Sequence, residues 1–299
     1  MDLLHGRNAG PARLRQLLNG DRPVVAPGCY DPLSARLVEE AGFDCAYMTG
    51  FGSAAGFLGR PDVGLMTLTE MVGNARRIVD AIALPLIADA DTGYGNAINM
   101  IRTIHEYERA GVAGIQIEDQ VMPKKCGHMA GKAVISAQEA RQKVQAAVAA
   151  RQDPDTVIIA RTDARATDGF DAAIERARMF RDAGADVLFV EALLDEAEIE
   201  KTAEIFRAEK LFFNWAEGGK TPSLTYDRIA ELGFSILIFP ISTVLAATKA
   251  MRETLAAIRV AGTPIPVLDA LVPFGEFVDF LGLPEIYDIE KGFTQSRGT

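Results

Sequence analysis

Residues 110–119 read Ala110-Gly111-Val112-Ala113-Gly114-Ile115-Gln116-Ile117-Glu118-Asp119. A helical pattern over 97–110 stops at Gly111, a short apolar run follows, and two adjacent carboxylates close it. Glycine adopts the left-handed backbone that ends a helix at no steric cost, so Gly111 marks a helix-to-strand turn. The run after it is as short and apolar as a strand buried on both faces. The same device recurs at Ala41-Gly42-Phe43-Asp44, Ala183-Gly184-Ala185-Asp186 and Leu232-Gly233-Phe234-Ser235.

Working outward, apolar strands are expected near 24–27, 44–48, 85–89, 113–117, 156–161, 186–190, 211–214 and 236–239. Helical patterns separate them, at 68–83, 97–110, 137–150, 172–183 and 199–208, with a further helix from Asp31-Pro32 to Ala41-Gly42. Leu14, Leu17 and Leu18 give a short helix before the first strand. Eight strand–helix units imply a closed (β/α)8 TIM barrel, with a doubly wound open sheet as the alternative. No internal stretch is rich enough in Pro, Gly or Ser to divide the chain, so 1–299 reads as one barrel domain. A long helix is expected over 242–260, broken by Gly262-Thr263-Pro264-Ile265-Pro266. The tail, 261–299, is rich in Leu271, Val272, Phe274, Phe277, Val278, Phe280 and Leu281. Its expected place is against a neighbouring subunit; packing across the bottom of its own barrel is the alternative.

With 48% hydrophobic and 24% charged residues the composition is that of a globular protein. The net charge of -10 and the lack of a Lys/Arg run speak against a nucleic-acid partner. No stretch approaches the ~20 apolar residues of a membrane span, and the first twenty residues lack an uninterrupted apolar segment, so neither a membrane nor a secretory signal is expected. Cys29, Cys45 and Cys126 are odd in number and widely spaced, which favours a reducing compartment, and the expected location is the cytoplasm.

In such a barrel the reacting groups sit at the C-terminal ends of strands. Polar side chains recur at those ends: Tyr47 and Thr49 after strand two with Asp62 in the next loop, Asp89 and Asp91 after strand three, Glu118-Asp119, Arg161-Thr162-Asp163, Glu191, then Asn214 with Glu217 close behind. Carboxylates from neighbouring strands would repel one another in a partly dehydrated mouth, and a divalent cation relieves that repulsion. All-oxygen ligation favours Mg2+ or Mn2+ over zinc; helix capping is the other reading of Asp89 and Asp91. After Glu118-Asp119 comes Lys124-Lys125-Cys126-Gly127-His128. Cationic neighbours favour a thiolate at Cys126, and Gly127 lets a gating loop close over a ligand. His128 reads equally as a proton-transfer group and as a hydrogen-bonder that orders the loop. Trp215 either walls the pocket or packs.

KKCGHMAGK, preceded by IEDQ and DADTGYGN and accompanied in order by GCYDPLSARL, GRPDVG, ARTDA, VEA and FPIS, resembles the isocitrate lyase and phosphoenolpyruvate mutase superfamily from about Pro27 to Pro240. The KKCGH loop marks its carbon–carbon lyases, in which the cysteine is the catalytic acid/base. The resemblance implies Asp89, Asp91 and Glu118 as magnesium-site carboxylates, with Asp62 behind them. It implies Thr49, Gly50 and Phe51 as the holders of a 2-oxo acid carboxylate, and Arg161, Glu191 and Asn214 as substrate-binding groups. Lys124, Gly127 and Glu217 join that substrate set; Cys126, Arg161, Tyr47 (a candidate base, with a metal-bound hydroxide as the alternative) and His128 form the catalytic set. It also implies a homotetramer in which the final helix swaps between subunits.

Two departures sharpen the expected substrate. Met129 stands where methylisocitrate lyases often carry arginine, and Phe51 where they tend to have glycine. Both changes favour an alkyl-substituted malate such as 2,3-dimethylmalate over a tricarboxylate such as 2-methylisocitrate. The expected reaction is retro-aldol cleavage of a 2-hydroxy dicarboxylate to pyruvate and a carboxylic acid. Oxaloacetate decarboxylation or hydrolysis is the enzymatic alternative; a phosphonomutase and a non-catalytic barrel binding a 2-oxo or 2-hydroxy dicarboxylate are the remaining ones.

Overall fold

The computed structural model describes residues 10–127, 129 and 131–295. Eight parallel strands close on themselves: β1 (Val24–Cys29), β2 (Ala46–Met48), β3 (Leu86–Asp89), β4 (Gly114–Glu118), β5 (Val157–Thr162), β6 (Val187–Val190), β7 (Lys210–Asn214) and β8 (Ile236–Phe239). Each pairs with its sequence neighbours, and Val24 opposite Ile236 joins β1 to β8. The fold is therefore the TIM barrel that the strand–helix alternation implies, and the open sheet is excluded.

Local signals account for the boundaries. Asp31, Thr67 and Asn96 each close a capping box with the residue three positions on, satisfying backbone N–H groups that a helix start leaves unpaired. The repeated turn glycines Gly42, Gly111, Gly184 and Gly233 all have φ between 81° and 96°, the region closed to other residues without strain. One helix the sequence pattern missed, Gly50–Leu58, follows β2 directly. Its GFGSAAGFL carries three glycines, so propensity argues against it; the Thr49 cap and its packing decide instead.

Apolar residues alternate along the strands between two layers. Met48, Leu86, Ala88, Ile115, Ile117, Ile158 and Ala160 pack beneath the helices. Tyr47, Ile87, Ile159, Phe189, Phe212 and Ile238 fill the barrel, with Leu14 and Leu18 of helix Gly10–Leu18 among them. Gly114 makes room for that plug: a Cβ there would stand 3.0 Å from Leu14 Cδ2.

The chain divides into two compact units, 7–244 and a second that contains 245–299. The barrel and every site residue considered below lie in the first. Within the second, a 3-10 turn (Ile265–Ala270) and helices Phe274–Phe280 and Leu283–Gln295 follow the end of the long helix Ser242–Ala261. No helix among the described residues is long and apolar enough to cross a membrane.

Leu14 is fully buried, so Leu14→Ala is expected to lower unfolding stability by about 2–5 kcal/mol through the cavity it leaves. Urea unfolding should show a lower midpoint at unchanged slope; a shift below about 0.5 kcal/mol, the usual bound for surface substitutions, would mean that the helix does not plug the barrel.

Candidate active site

Period-two alternation separates the adjacent acids that end β4. Gly114, Gln116 and Glu118 share the inward face, and Glu118 reaches a cavity of about 190 Å3 at the C-terminal mouth. Asp119 points away: it accepts from Thr162 Oγ1 at 2.7 Å, Asp163 N at 2.9 Å and Arg176 Nη1 at 3.2 Å. Asp119 thus ties the end of β5 to β4. Burial, reinforced by Asp163, pushes its carboxyl up to about 6.

The cavity is lined by Tyr47, Thr49, Phe51, Asp62, Asp89, Glu118, Lys124, Cys126, Gly127, Arg161, Asn214 and Glu217 of the expected set. Three expected residues stand just behind it. Gly50 packs so close to Asp89 that a Cβ would lie 2.6 Å from Oδ2. Asp91 is buried beside Asp89, its N–H donating to Asp89 Oδ1 at 3.0 Å. Glu191 accepts from Asn214 Nδ2 at 3.1 Å and meets Arg161 Nη1 at 3.5 Å. His128 lies outside the described residues.

Charge pairing organises the mouth. Lys124, 2% exposed, places its ammonium 2.6 Å from both Asp62 Oδ1 and Asp91 Oδ1. Arg161 grips Asp163 through Nε to Oδ2 at 2.9 Å and Nη2 to Oδ1 at 3.0 Å, meets Glu118 Oε2 at 3.4 Å, and lies 5.2 Å from the centre of the Phe189 ring. Burial alone would raise Asp163, but Arg161 and Lys132 outweigh it and hold the carboxyl down at about 2. Asp91 goes the other way, to about 7, because burial outweighs Lys124 while Asp89 and Asp62 add to the rise. Burial also pushes Glu118 well up despite Arg161, and Glu118 Oε1 is buried without a hydrogen-bond partner among the described residues.

That orphaned oxygen and the uncompensated carboxylates bear on the expected cation. Among the described residues no three acids are arranged as a ready ligand set, and Lys124 stands between two of the expected ligands. The donor chemistry still fits a hard divalent ion: Asp89, Asp91, Glu118 and Asp62 offer only oxygen, and their crowding calls for more positive charge than Lys124 supplies.

Tyr47 does not suit the role of base. Its hydroxyl donates to Gln116 Oε1 at 2.9 Å, and burial, then Asp89, push the phenol well above its ordinary value. A neutral donor is the state this environment favours. Gln116 in turn donates to Asp89 Oδ1 at 3.3 Å and so orients it. The sequence reading passed over Gln116, although a lone amide on the inward face of an apolar strand was the available signal.

The loop after β4 is tied at its base by an antiparallel bridge between Gln120 and Val134, with Val121 N donating to Ala133 O at 2.8 Å. Cys126 N donates to Asp62 O at 3.1 Å, which sets the residue at the cavity wall. Gly127 follows directly against Arg161: an added Cβ would stand 2.4 Å from Nη2. Trp215 packs on Phe239 at 5.7 Å between ring centres and donates to Leu224 O, so it packs rather than walls the pocket. Left-handed backbone at Asp91 (φ 48°) and Ala192 (φ 61°) marks two of these strand ends as strained.

A barrel mouth that gathers acids, an arginine, lysines and a thiol around one cavity is that of an enzyme acting on a small anionic molecule. Residues 14–259 match the family model described as phosphoenolpyruvate phosphomutase. The chain is 47% identical over 286 residues to 2,3-dimethylmalate lyase of Eubacterium barkeri, covering 96% of this chain and 99% of that protein. It is 46% identical to 2-methylisocitrate lyase of Aeropyrum pernix, covering 93% and 88%. Among solved structures, oxaloacetate acetylhydrolase in complex with 3,3-difluorooxalacetate superposes with a TM-score of 0.91 at 40% identity, covering 96% and 97%. Phosphonopyruvate hydrolase, solved with oxalate and Mg++, superposes at 0.86 and 31% identity, covering 94% and 98%. The chain belongs to the phosphoenolpyruvate phosphomutase family and, with it, to the PEP mutase/isocitrate lyase superfamily.

The three thiols should differ in reactivity. Cys29 and Cys45 are fully buried, and burial raises both, Cys45 to about 12, whereas Cys126 is partly exposed. Brief treatment of native protein with iodoacetamide should alkylate Cys126 and spare the other two, read by peptide mass spectrometry. Equal labelling of all three would contradict the placement of Cys126 at the cavity.

Proposed function

We propose that the protein is a carbon–carbon lyase that cleaves a 2-hydroxy dicarboxylate of the 2,3-dimethylmalate or 2-methylisocitrate type to pyruvate and a carboxylic acid. The observation that carries this reading is that Cys126 and Arg161 line one cavity together with Asp62, Asp89 and Glu118. Asp89, Asp91 and Glu118, with Asp62 behind them, are the groups that would hold Mg2+, or Mn2+ in its place. When bound, such a cation supplies Lewis acidity that lowers the pKa of a hydroxyl it touches.

The remaining roles fall to the chain itself. Thr49 caps helix Gly50–Leu58, and the open N–H groups of Gly50 and Phe51 suit a substrate carboxylate. Arg161 offsets charge as the carbon–carbon bond breaks, held in place by Asp163 and Glu191. The Cys126 thiol gives its proton to the departing carbanion, and the proton that the 2-hydroxyl loses as its carbon becomes a carbonyl passes to solvent, from which the thiolate is reprotonated. Lys124 balances Asp62 and Asp91, Gly127 admits the loop beside Arg161, and Asn214 and Glu217 line the same cavity as substrate-binding groups; His128 completes the catalytic set. Phe51, Met129, Phe189, Ile238 and Ile241 give the cavity an apolar wall, which favours an alkyl-substituted malate over a third carboxylate.

A second reading, oxaloacetate hydrolysis or decarboxylation, is supported by the 0.91 TM-score to oxaloacetate acetylhydrolase. We place the protein in the cytoplasm as a homotetramer, with the helices after Ala261 packing on a neighbouring subunit. Leu268, Val272 and Phe274 are exposed within the second unit and suit such a contact.

Pyruvate release should be followed with Mg2+ and each of 2,3-dimethylmalate and 2-methylisocitrate, and oxaloacetate consumption should be followed in parallel with both pyruvate and oxalate measured as products. The expected outcome is cleavage of 2,3-dimethylmalate in preference to the others and a kcat lower by about 10²–10⁴-fold in Cys126→Ser at unchanged melting temperature. Turnover of oxaloacetate alone would favour the second reading, and full activity of Cys126→Ser would overturn the assignment of the thiol.

A further inference from the structure

Lys132 has no task in the scheme above, yet it is among the most enclosed cations of the barrel. Its side chain is 1% exposed and its ammonium lies 2.8 Å from Asp163 Oδ1, a carboxylate that is itself 0% exposed. The same ammonium donates to the backbone carbonyl of Gly127. Asp163 is the residue that grips Arg161 with two hydrogen bonds, at 2.9 Å and 3.0 Å. Gly127 directly follows Cys126 and lies against Arg161 and Glu191, close enough that a Cβ would stand 2.7 Å from Glu191 Cδ. One buried ammonium thus ties the backbone beside the thiol to the carboxylate that orients the guanidinium.

A contribution to stability does not explain this arrangement. Burying two opposite charges costs about as much desolvation as their attraction returns, so such a pair is a poor stabiliser. Lys125 shows the contrast within the same loop: it donates to Gly131 O at 2.8 Å but in an exposed position, where water competes. Lys132 reaches inward, to the Asp163–Arg161 pair, and its hydrogen bond to a backbone carbonyl constrains position rather than charge.

We propose that Lys132 is a positioning residue for carbon–carbon cleavage, acting through Gly127 to hold the Cys126 thiol in register with Arg161. The proposal rests on the lyase reading for its catalytic consequence, while its geometric content concerns Cys126 in the free protein. A displacement of a reacting group by about 1 Å can cost about 10²-fold in rate, so loss of the tie should appear in kcat. Substrate binding, which Lys132 does not touch, should change little.

The test compares wild type with Lys132→Met, which keeps the chain length and removes the charge, and Lys132→Arg, which keeps the charge and donors. Two readouts are taken: kcat and KM for the substrate that wild type cleaves, and the rate of Cys126 alkylation by iodoacetamide in substrate-free protein. Lys132→Met should lose about 10–100-fold in kcat with KM within about threefold, and its Cys126 alkylation rate should depart from wild type. Lys132→Arg should recover part of both. Where Lys132→Met fails to fold, Lys132→Met/Asp163→Asn removes both buried charges together, and its alkylation rate should still differ from that of Asp163→Asn alone. Wild-type kcat and alkylation in folded Lys132→Met, or equal alkylation in the double and single Asn variants, would overturn the proposal. If wild type cleaves none of the dicarboxylates, the lyase reading fails while the alkylation arm still decides whether Lys132 holds Cys126.

Discussion

The mouth of the barrel is governed by a shortage of positive charge. Asp62, Asp89, Asp91, Glu118, Asp163 and Glu191 are buried together, and Lys124, Lys132 and Arg161 answer them. Where two cations meet one carboxylate, as Arg161 and Lys132 do at Asp163, the carboxyl is held at about 2; where one ammonium is shared between two carboxylates, as Lys124 is between Asp91 and Asp62, burial wins and the Asp91 carboxyl rises to about 7. The same surroundings therefore set two kinds of acid side by side: one locked as a structural anion, the others waiting for a further cation. Desolvation makes both effects large, since the low dielectric that penalises a lone charge also strengthens a well-matched pair.

The barrel supplies this arrangement through strand register. Glu118 stands opposite Arg161 across the β4–β5 ladder, and Asp89 opposite Gln116 across β3–β4. Because side chains alternate, each functional residue two positions from an inward apolar one also faces inward. This is why the eight strands, the turn glycines and most of the cavity lining were legible in the linear chain: they depend on periods and on residues adjacent to strand ends. The acid pair at 118–119 was legible as a cluster but not as two roles, until alternation sent Asp119 outward to Thr162 and Arg176.

What stayed hidden depends on contacts between distant positions. Lys132 and Asp163 are 31 residues apart, and their pairing follows only once the β4 loop folds back over β5. Tyr47 looked like a base from its place at a strand end, whereas its partner Gln116, 69 residues on, makes it a donor. The helix Gly50–Leu58 was missed because its glycines argue against helix; those same glycines permit the close approaches to Asp89 and to Tyr30 that the cavity floor requires. Local propensity yields to packing where a site demands it.

The claim that this acid cluster is one cation short is tested most directly by titrating metal-free protein with Mg2+ in a calorimeter, wild type beside Glu118→Gln. The account predicts one saturable site per chain in wild type and binding weakened by at least about tenfold in the variant. No saturable binding to wild type, or equal binding by Glu118→Gln, would contradict it.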